Sequence, residues 1–172
     1  QFRTIYADPP WNAIGGGVIK RGSDAHYPLM KTSEIIDMKY EIQRISLDNS
    51  HLYLWITNNF LQDGLNIIKE WGFEYKTIIT WFKHKIGLGQ YYRGITEHCL
   101  FGVKGNIPYK LTDEGKRLQG VTGFYELAKT HSTKPEIMRQ MIEKVSYPPY
   151  LELFARKKFK SFIWSFWGNE IT

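Results

Sequence analysis

One cysteine, Cys99, stands in the 172 residues, so no internal disulfide framework can form and a cysteine-rich zinc site is excluded. The five histidines, His26, His51, His84, His98 and His131, show no paired spacing that would set two imidazoles on one ion, so no metal is expected. No apolar run approaches the roughly 20 residues of a bilayer span. The first residues also lack the charged, apolar, small-residue order of a secretory signal. Without a Gly-x-Gly-x-x-Gly, a nicotinamide cofactor has no support. No internal repeat, low-complexity tract or Pro/Gly/Ser-rich linker divides the chain. These absences point to a single domain over 1–172 that is intracellular (cytoplasm, or nucleus in a eukaryote) and makes no membrane contact.

What is present is apolar and aromatic. Apolar residues make up 42% and aromatics 16%, which excludes intrinsic disorder. Lys+Arg number 23 against 17 Asp+Glu, a net charge of +6 that suits a nucleic-acid partner but is shared by many unrelated enzymes. The chain opens on Gln1 and runs at once into an apolar strand, so it is expected to be a trimmed piece of a longer protein.

Phe2 to Ala7 is strand-like and meets Pro9-Pro10, which a strand interior does not tolerate. Residues 12–28 are loop-like, with Gly15-Gly16-Gly17, Lys20 and Arg21. Thr32 or Ser33 is the expected cap of a short helix over Glu34 to Met38. His51 to Thr57 is almost continuously apolar, the mark of a strand buried on both faces. Leu61, Leu65 and Ile68 put one apolar stripe on a helix from about Asn59 to Trp71, ended by Gly72. Strands are expected over Phe73 to Phe82, Thr96 to Val103, Tyr150 to Ala155 and Ser161 to Phe166. Pro135 opens a helix on which Ile137, Met141, Ile142 and Val145 share a face. Residues 106–133 read as one long irregular segment. Alternating strands and helices argue for a largely parallel α/β sheet with its ligands at the strand ends.

The strongest motif is Asp8-Pro9-Pro10-Trp11, directly after the first strand. Two prolines remove backbone donors, so the carbonyls beside Asp8 are expected to lack local N–H competitors. A carboxylate among such carbonyls accepts hydrogen bonds only, which suits a ligand presenting an NH2 group. Trp11 offers a flat face for a nucleobase. The alternative is a Pro-Pro turn with Asp8 capping a helix and Trp11 in the core.

This tetrapeptide resembles the catalytic motif of the N6-adenine methyltransferases related to the seventy-kilodalton catalytic subunit of the eukaryotic mRNA methyltransferase. Further segments of that family recur here in order: Tyr27 to Met30, Leu52 to Trp55, Thr80 to Lys83, Glu97 to Gly105, Lys134-Pro135, Leu151 to Arg156 and Gly168 to Glu170. The likeness therefore covers nearly the whole chain. It implies a Rossmann-like methyltransferase fold with a mostly parallel sheet flanked by helices and a permuted motif order. It also implies S-adenosylmethionine as cofactor and 6-methyladenine as product.

Carried over residue by residue, Asp8 and the Pro9 carbonyl accept the adenine amine, orienting its lone pair toward the methyl for direct in-line transfer. Pro10 shapes the turn, and Trp11 with Tyr27 lines the base pocket. Trp81, Lys83 and Glu97 match pocket-side positions. Lys134 pairs with the methionine carboxylate, Ser132 lies close by, and Asp8 also meets the methionine amine. Arg156, Asn169 and Glu170 match positions touching ribose and adenine. Loops at 12–30 and 83–95 are expected to close on the substrate, whose target adenine must leave its stack. Read without the resemblance, Glu152 and Arg156 form a surface ion pair at a strand end, and Asn169 is a turn residue. His98 and Cys99 read as core, and the run from Arg156 to Lys160 is a solvated edge or a phosphate patch.

The chain also departs from the mRNA enzymes. Lys157, Lys158 and Phe159 stand where those enzymes place His and Asn after the arginine, so the ribose contacts are expected to differ. The family segment preceding the tetrapeptide, which contacts the cofactor adenine, lies outside this sequence. A compact catalytic domain without zinc fingers is similar to prokaryotic and phage relatives, which mostly modify DNA, and DNA is favoured over RNA accordingly. The competing readings are an mRNA-type RNA methyltransferase, a small-molecule methyltransferase, and a silent nucleic-acid-binding homologue serving an active subunit. The intact tetrapeptide argues against the last. A homodimer or a partner subunit is expected from the small footprint on nucleic acid.

Overall fold

The structure, a computed structural model, describes residues 1–12, 29–128, 133–169 and 171. Seven strands form one sheet: β1 (Phe2–Ala7), β2 (Ser46–Ile56), β3 (Glu74–Phe82), β4 (Thr96–Lys104), β5 (Gly123–Tyr125), β6 (Tyr150–Leu153) and β7 (Trp164–Trp167). Their order is β5-β3-β4-β2-β1-β6-β7. The pairs β1–β2, β1–β6, β3–β5 and β6–β7 are parallel, while β4 runs antiparallel to both β2 and β3. The sheet is thus mixed and mostly parallel, a Rossmann-like arrangement with one reversed strand.

Side chains alternate across a strand, and here the alternation sorts the core into two layers. Ile5 and Ala7, Leu52, Leu54 and Ile56, and Leu151 and Leu153 point to one face. Helices α1 (Thr32–Asp37), α2 (Lys39–Ile45) and α3 (Leu61–Glu70) cover that face with Ile35, Ile42, Ile67 and Ile68. Tyr6, Tyr53, Trp55, Trp81 and Cys99 point to the other, against Met138 and Ile142 of α4 (Ile137–Val145). Burial on both faces explains the unbroken apolar run of β2, whose Ser50 to Ile56 are all buried.

Several local expectations are corrected. Neither Thr32 nor Ser33 caps α1: the N-cap is Lys31, whose backbone N–H donates to Glu34 Oε2 at 2.6 Å. The second helix, α2, follows without a gap signal. The segment after residue 106 is not wholly irregular, because β5 adds to the sheet beside β3. The helix and its glycine stop hold, with Gly72 at φ 87°, but the stripe is turned: Leu61 is exposed and Leu65 half-buried, while Gly64, Ile67 and Ile68 face the core.

Gly64 lies inside α3, where alanine ordinarily gains up to about 1 kcal/mol. A Cβ there would sit 2.6 Å from Ile56 Cγ2 and 2.9 Å from Leu100 Cδ1, both in the packed core. Overpacking costs about 1–3 kcal/mol and outweighs the helix gain. Gly64→Ala is therefore expected to lower stability by about 1–2 kcal/mol in urea unfolding.

Candidate active site

The alternation that builds the core also builds the site. Asp8 lies two residues beyond Tyr6, and Lys83 two beyond Trp81, so each continues its strand on the α4 face. Glu97 is the direct cross-strand partner of Trp81, and partners directly opposite share a face. Because β4 is reversed, its start lies at the same sheet edge as the ends of β1, β2 and β3. Lys134, three residues before α4, descends on that face and closes the cluster.

The ammonium of Lys134 lies 3.0 Å from Asp8 Oδ1 and 3.2 Å from Glu97 Oε2. Glu97 Oε1 in turn takes Lys83 Nζ at 3.0 Å. The result is a row of alternating charge, Asp8–Lys134–Glu97–Lys83, with side chains only 15 to 23% exposed. Lys134 also lies 5.5 Å above the Trp55 ring. Trp55 itself is fixed by its indole N–H, which donates to Tyr6 Oη at 2.7 Å.

The two carboxylates differ in kind. Burial strips water from Asp8 and raises its pKa above the ordinary aspartate value, with Lys134 opposing and Glu97 adding to the rise. Burial acts the same way on Glu97, but Lys134 and Lys83 together outweigh it and hold that carboxyl below its usual value. Burial also works against charge on Lys134, yet Asp8 and Glu97 outweigh it and its pKa is raised. Glu97 is therefore the firm anion of the cluster and Asp8 the one closest to accepting a proton.

The tetrapeptide differs in two respects from what its residues suggest. The carbonyls are not without donors: Trp11 N–H reaches back to Pro9 O at 2.9 Å, and Met30 N–H reaches Pro10 O at 2.8 Å. Each oxygen keeps a second lone pair. Trp11 is 8% exposed and belongs to the core, stacked on Phe60 at 4.8 Å with its Nε1–H on Trp55 O. Its visible role is to lock the turn onto β2. Asp8 follows a strand and caps no helix.

Trp81 is buried, edge-on to Trp55, with its Nε1–H on Glu126 O. Arg156 follows β6 and is half-buried, close enough to Asp8 to lower its pKa. Asn169 is exposed in the turn after β7. The two emerge from neighbouring strand ends held by Ala155 N–H on Trp167 O at 3.0 Å; a Cβ on Gly168 would lie 2.2 Å from Ala155 O. Glu152 does not pair with Arg156 on the surface: Arg139 of α4 holds it through Nε at 2.9 Å and Nη2 at 2.7 Å. Tyr27, Ser132, Glu170, Lys20 and Arg21 lie outside the described residues. Among the described residues, no His/Cys/Asp/Glu group is arranged to hold a metal ion. Cys99 is fully buried, which pushes its thiol pKa up, and His98 shares a hydrogen bond with Thr80 Oγ1 at 2.9 Å.

Tyr6 and Arg139 are the contributors that motif reading left out, while Trp55 and Glu152 lie inside family segments but take partners that no motif names. Register carries the signal, since Tyr6 partners Tyr53 and Glu152, and Trp55 partners Cys99, two residues from Glu97.

A family profile, MT-A70, matches residues 2–170. The chain belongs to the MT-A70 family. It is 31% identical over 192 residues to the Type II methyltransferase M.MunI of a Mycoplasma species, covering 99% of this chain and 78% of that protein. It is 29% identical to the human N(6)-adenosine-methyltransferase catalytic subunit METTL3, covering 99% of this chain but 28% of that one. The Arabidopsis thaliana N(6)-adenosine-methyltransferase MT-A70-like is 27% identical, with 24% of its length covered. The chain thus spans most of the bacterial relative and about a quarter of the eukaryotic ones. In this MT-A70 domain the Asp8 carboxyl is expected to titrate above the ordinary value of about 3.9. Lys134→Met, which leaves burial unopposed at close range, is expected to move it higher still. Carbon-13 NMR titration of labelled aspartate reads both shifts, and a lower pKa in the variant would contradict the charge row.

Proposed function

We propose that this chain is an adenine-N6 methyltransferase that moves a methyl group from S-adenosylmethionine to the exocyclic amine of an adenine in DNA. One observation carries the reading: Asp8 stands just past the end of β1, between β2 and β6 in the sheet, water-poor and held by Lys134, directly before the proline turn. The donor set also fits the cofactor. A buried ammonium suits a carboxylate, Asp8 suits an amine, and Arg156 with Asn169 at adjacent strand ends suits a ribose and its base.

When bound, S-adenosylmethionine supplies a methyl carbon activated by a sulfonium. Everything else falls to the chain. An adenine amine shares its lone pair with the ring and is a poor nucleophile. Asp8, whose carboxylate has lone pairs beyond the one taken by Lys134, accepts one N–H. The remaining lone pair of Pro9 O accepts the other. Two acceptors pull the nitrogen toward a pyramidal shape and aim its lone pair, so the gain is orientation and electrostatics. An amine that gains a methyl group would have one proton to shed, and Asp8, with its raised pKa and its place beside the amine, would be suited to receive it. Glu97 keeps Lys134 placed while Asp8 is so engaged.

The preference for DNA rests on likeness. The relative matched over most of its own length, 78% at 31% identity, is a bacterial Type II methyltransferase, a DNA-modifying enzyme. Methylation of RNA is the second reading, favoured by the 29% identity to METTL3 over 99% of the chain. Because that relative is named a catalytic subunit, a partner subunit or a second copy belongs to the proposal as well.

Incubation with labelled S-adenosylmethionine and single-stranded DNA, duplex DNA or RNA, followed by mass analysis of nucleosides, tests the reading. A 6-methyladenine peak on DNA is expected; its absence from every substrate overturns the proposal. Asp8→Ala is expected to lower kcat at least about 100-fold, the loss of one preorganised electrostatic partner. The variant is expected to stay folded by circular dichroism, because Lys134 keeps Glu97 as a partner at 3.2 Å. Lys134→Ala is expected to weaken cofactor binding about 10- to 100-fold by calorimetry, the range of a lost charged hydrogen bond.

A further inference from the structure

The connection from β3 to β4 leaves the sheet at the same edge as Asp8 and Glu97, and it is not a slack loop. Lys83 N–H donates to Ile95 O at 2.9 Å, Gly87 N–H to Gly94 O at 2.6 Å, and Gly94 N–H to Leu88 O at 3.1 Å. Arg93 Nε reaches across to Gly87 O at 2.7 Å. The turn is drawn so close that a Cβ on Gly89 would lie 2.0 Å from Tyr92 O. At its base, Lys83 is pinned by Glu97, so this hairpin is tied to the charge row.

A built hairpin that presents aromatic rings to water needs an explanation, because large exposed apolar groups mark binding surfaces. Tyr91 is 93% exposed and Tyr92 92%, side by side at the tip. Between residues 83 and 95 stand Lys83, Lys85 and Arg93 but no acidic residue. Two exposed aromatic rings among cations of one sign match a single strand of nucleic acid, whose bases stack while its phosphates meet ammonium groups.

We propose that the tip of this hairpin is a stacking platform for unpaired bases of the DNA strand beside the target adenine, with Tyr91 and Tyr92 carrying the stack and Lys85 meeting phosphate. The proposal rests on the DNA adenine methyltransferase reading and adds where the flanking nucleotides lie. It also assigns a task to the tyrosines: stacking at the tip offsets the cost of drawing the adenine from its own stack.

Fluorescence anisotropy with a short labelled single-stranded oligodeoxynucleotide containing adenine tests it, alongside RNA of the same sequence. The double variant Tyr91→Ala, Tyr92→Ala is expected to raise Kd about tenfold or more, with an unchanged thermal midpoint. The double Tyr→Phe variant keeps both ring faces and is expected to bind within about twofold of the unsubstituted protein. The alanine pair should leave the salt dependence of Kd unaltered, whereas Lys85→Ala should make its logarithmic slope shallower by about 0.7. Unchanged DNA affinity in the alanine pair overturns the platform. So does a loss that accompanies dissociation of a dimer in sedimentation, which assigns the tyrosines to a protein contact. Tighter, tyrosine-dependent binding of the RNA overturns the choice of DNA. If the unsubstituted protein methylates adenine but is indifferent to the tyrosines, only the platform fails. If it methylates nothing, the functional reading fails first.

Discussion

An ammonium group held among two carboxylates and an indole face sets the terms for this molecule. Lys134 is 17% exposed at its side chain, and a cation so placed is costly to leave unpaired. Asp8 comes from β1, Glu97 from the start of β4, Trp55 from β2, and Lys134 itself from the approach to α4. One interaction thus cross-links the three strands and the helix layer at a single edge. A one-residue slip in any of these strands would turn its contribution to the opposite face, into the layer of Ile5, Leu54 and Leu100. The site therefore depends on register as strictly as the core does.

Supports stand beneath the charged groups in layers. Tyr6 holds Trp55, Trp55 carries Lys134, and the Trp55 carbonyl anchors the indole of Trp11, which keeps the proline turn against β2. Arg139 holds Glu152 beside Tyr6, so a second buried acid near Asp8 carries its own compensating cation. Through this stack of aromatic rings with polar tips, a low-dielectric wall lies close to a carboxylate that keeps an unusual affinity for protons. Aromatics on that face do what aliphatic residues could not, since each fills volume and also directs a hydrogen bond.

Much of this was legible in the sequence, for physical reasons. A carboxylate followed by two prolines ends a strand, and the spacing of Leu61, Leu65 and Ile68 before Gly72 announces a helix and its stop, although the face it buries is that of Gly64, Ile67 and Ile68. The ordered motifs identified the family, and Lys83, Glu97 and Lys134 came with it. Trp55 read as ordinary core because its role needs the position of Lys134, 79 residues away in sequence. Arg139 carries no signal in the sequence, since nothing local marks Glu152 as its partner. The free carbonyls expected after Asp8 are engaged because the turn folds Trp11 N–H back onto Pro9, a contact that depends on how Met30 and Phe60 pack. β5 escaped because three residues carry too little pattern to announce a strand.

The reversal of β4 has a consequence for how this architecture can change. Parallel neighbours need a crossover, and lengthening a crossover disturbs a helix and the face it covers. By running backwards, β4 turns one connection beside the charge row into a hairpin, anchored at Lys83 and Glu97 and held beyond them only by hydrogen bonds within itself. Residues can be inserted or removed at its tip without shifting a helix or altering the pairing of β3 with β4. The scaffold thereby separates two kinds of inheritance: a charge row fixed in the register of the sheet, and an exposed aromatic tip written in a segment open to variation.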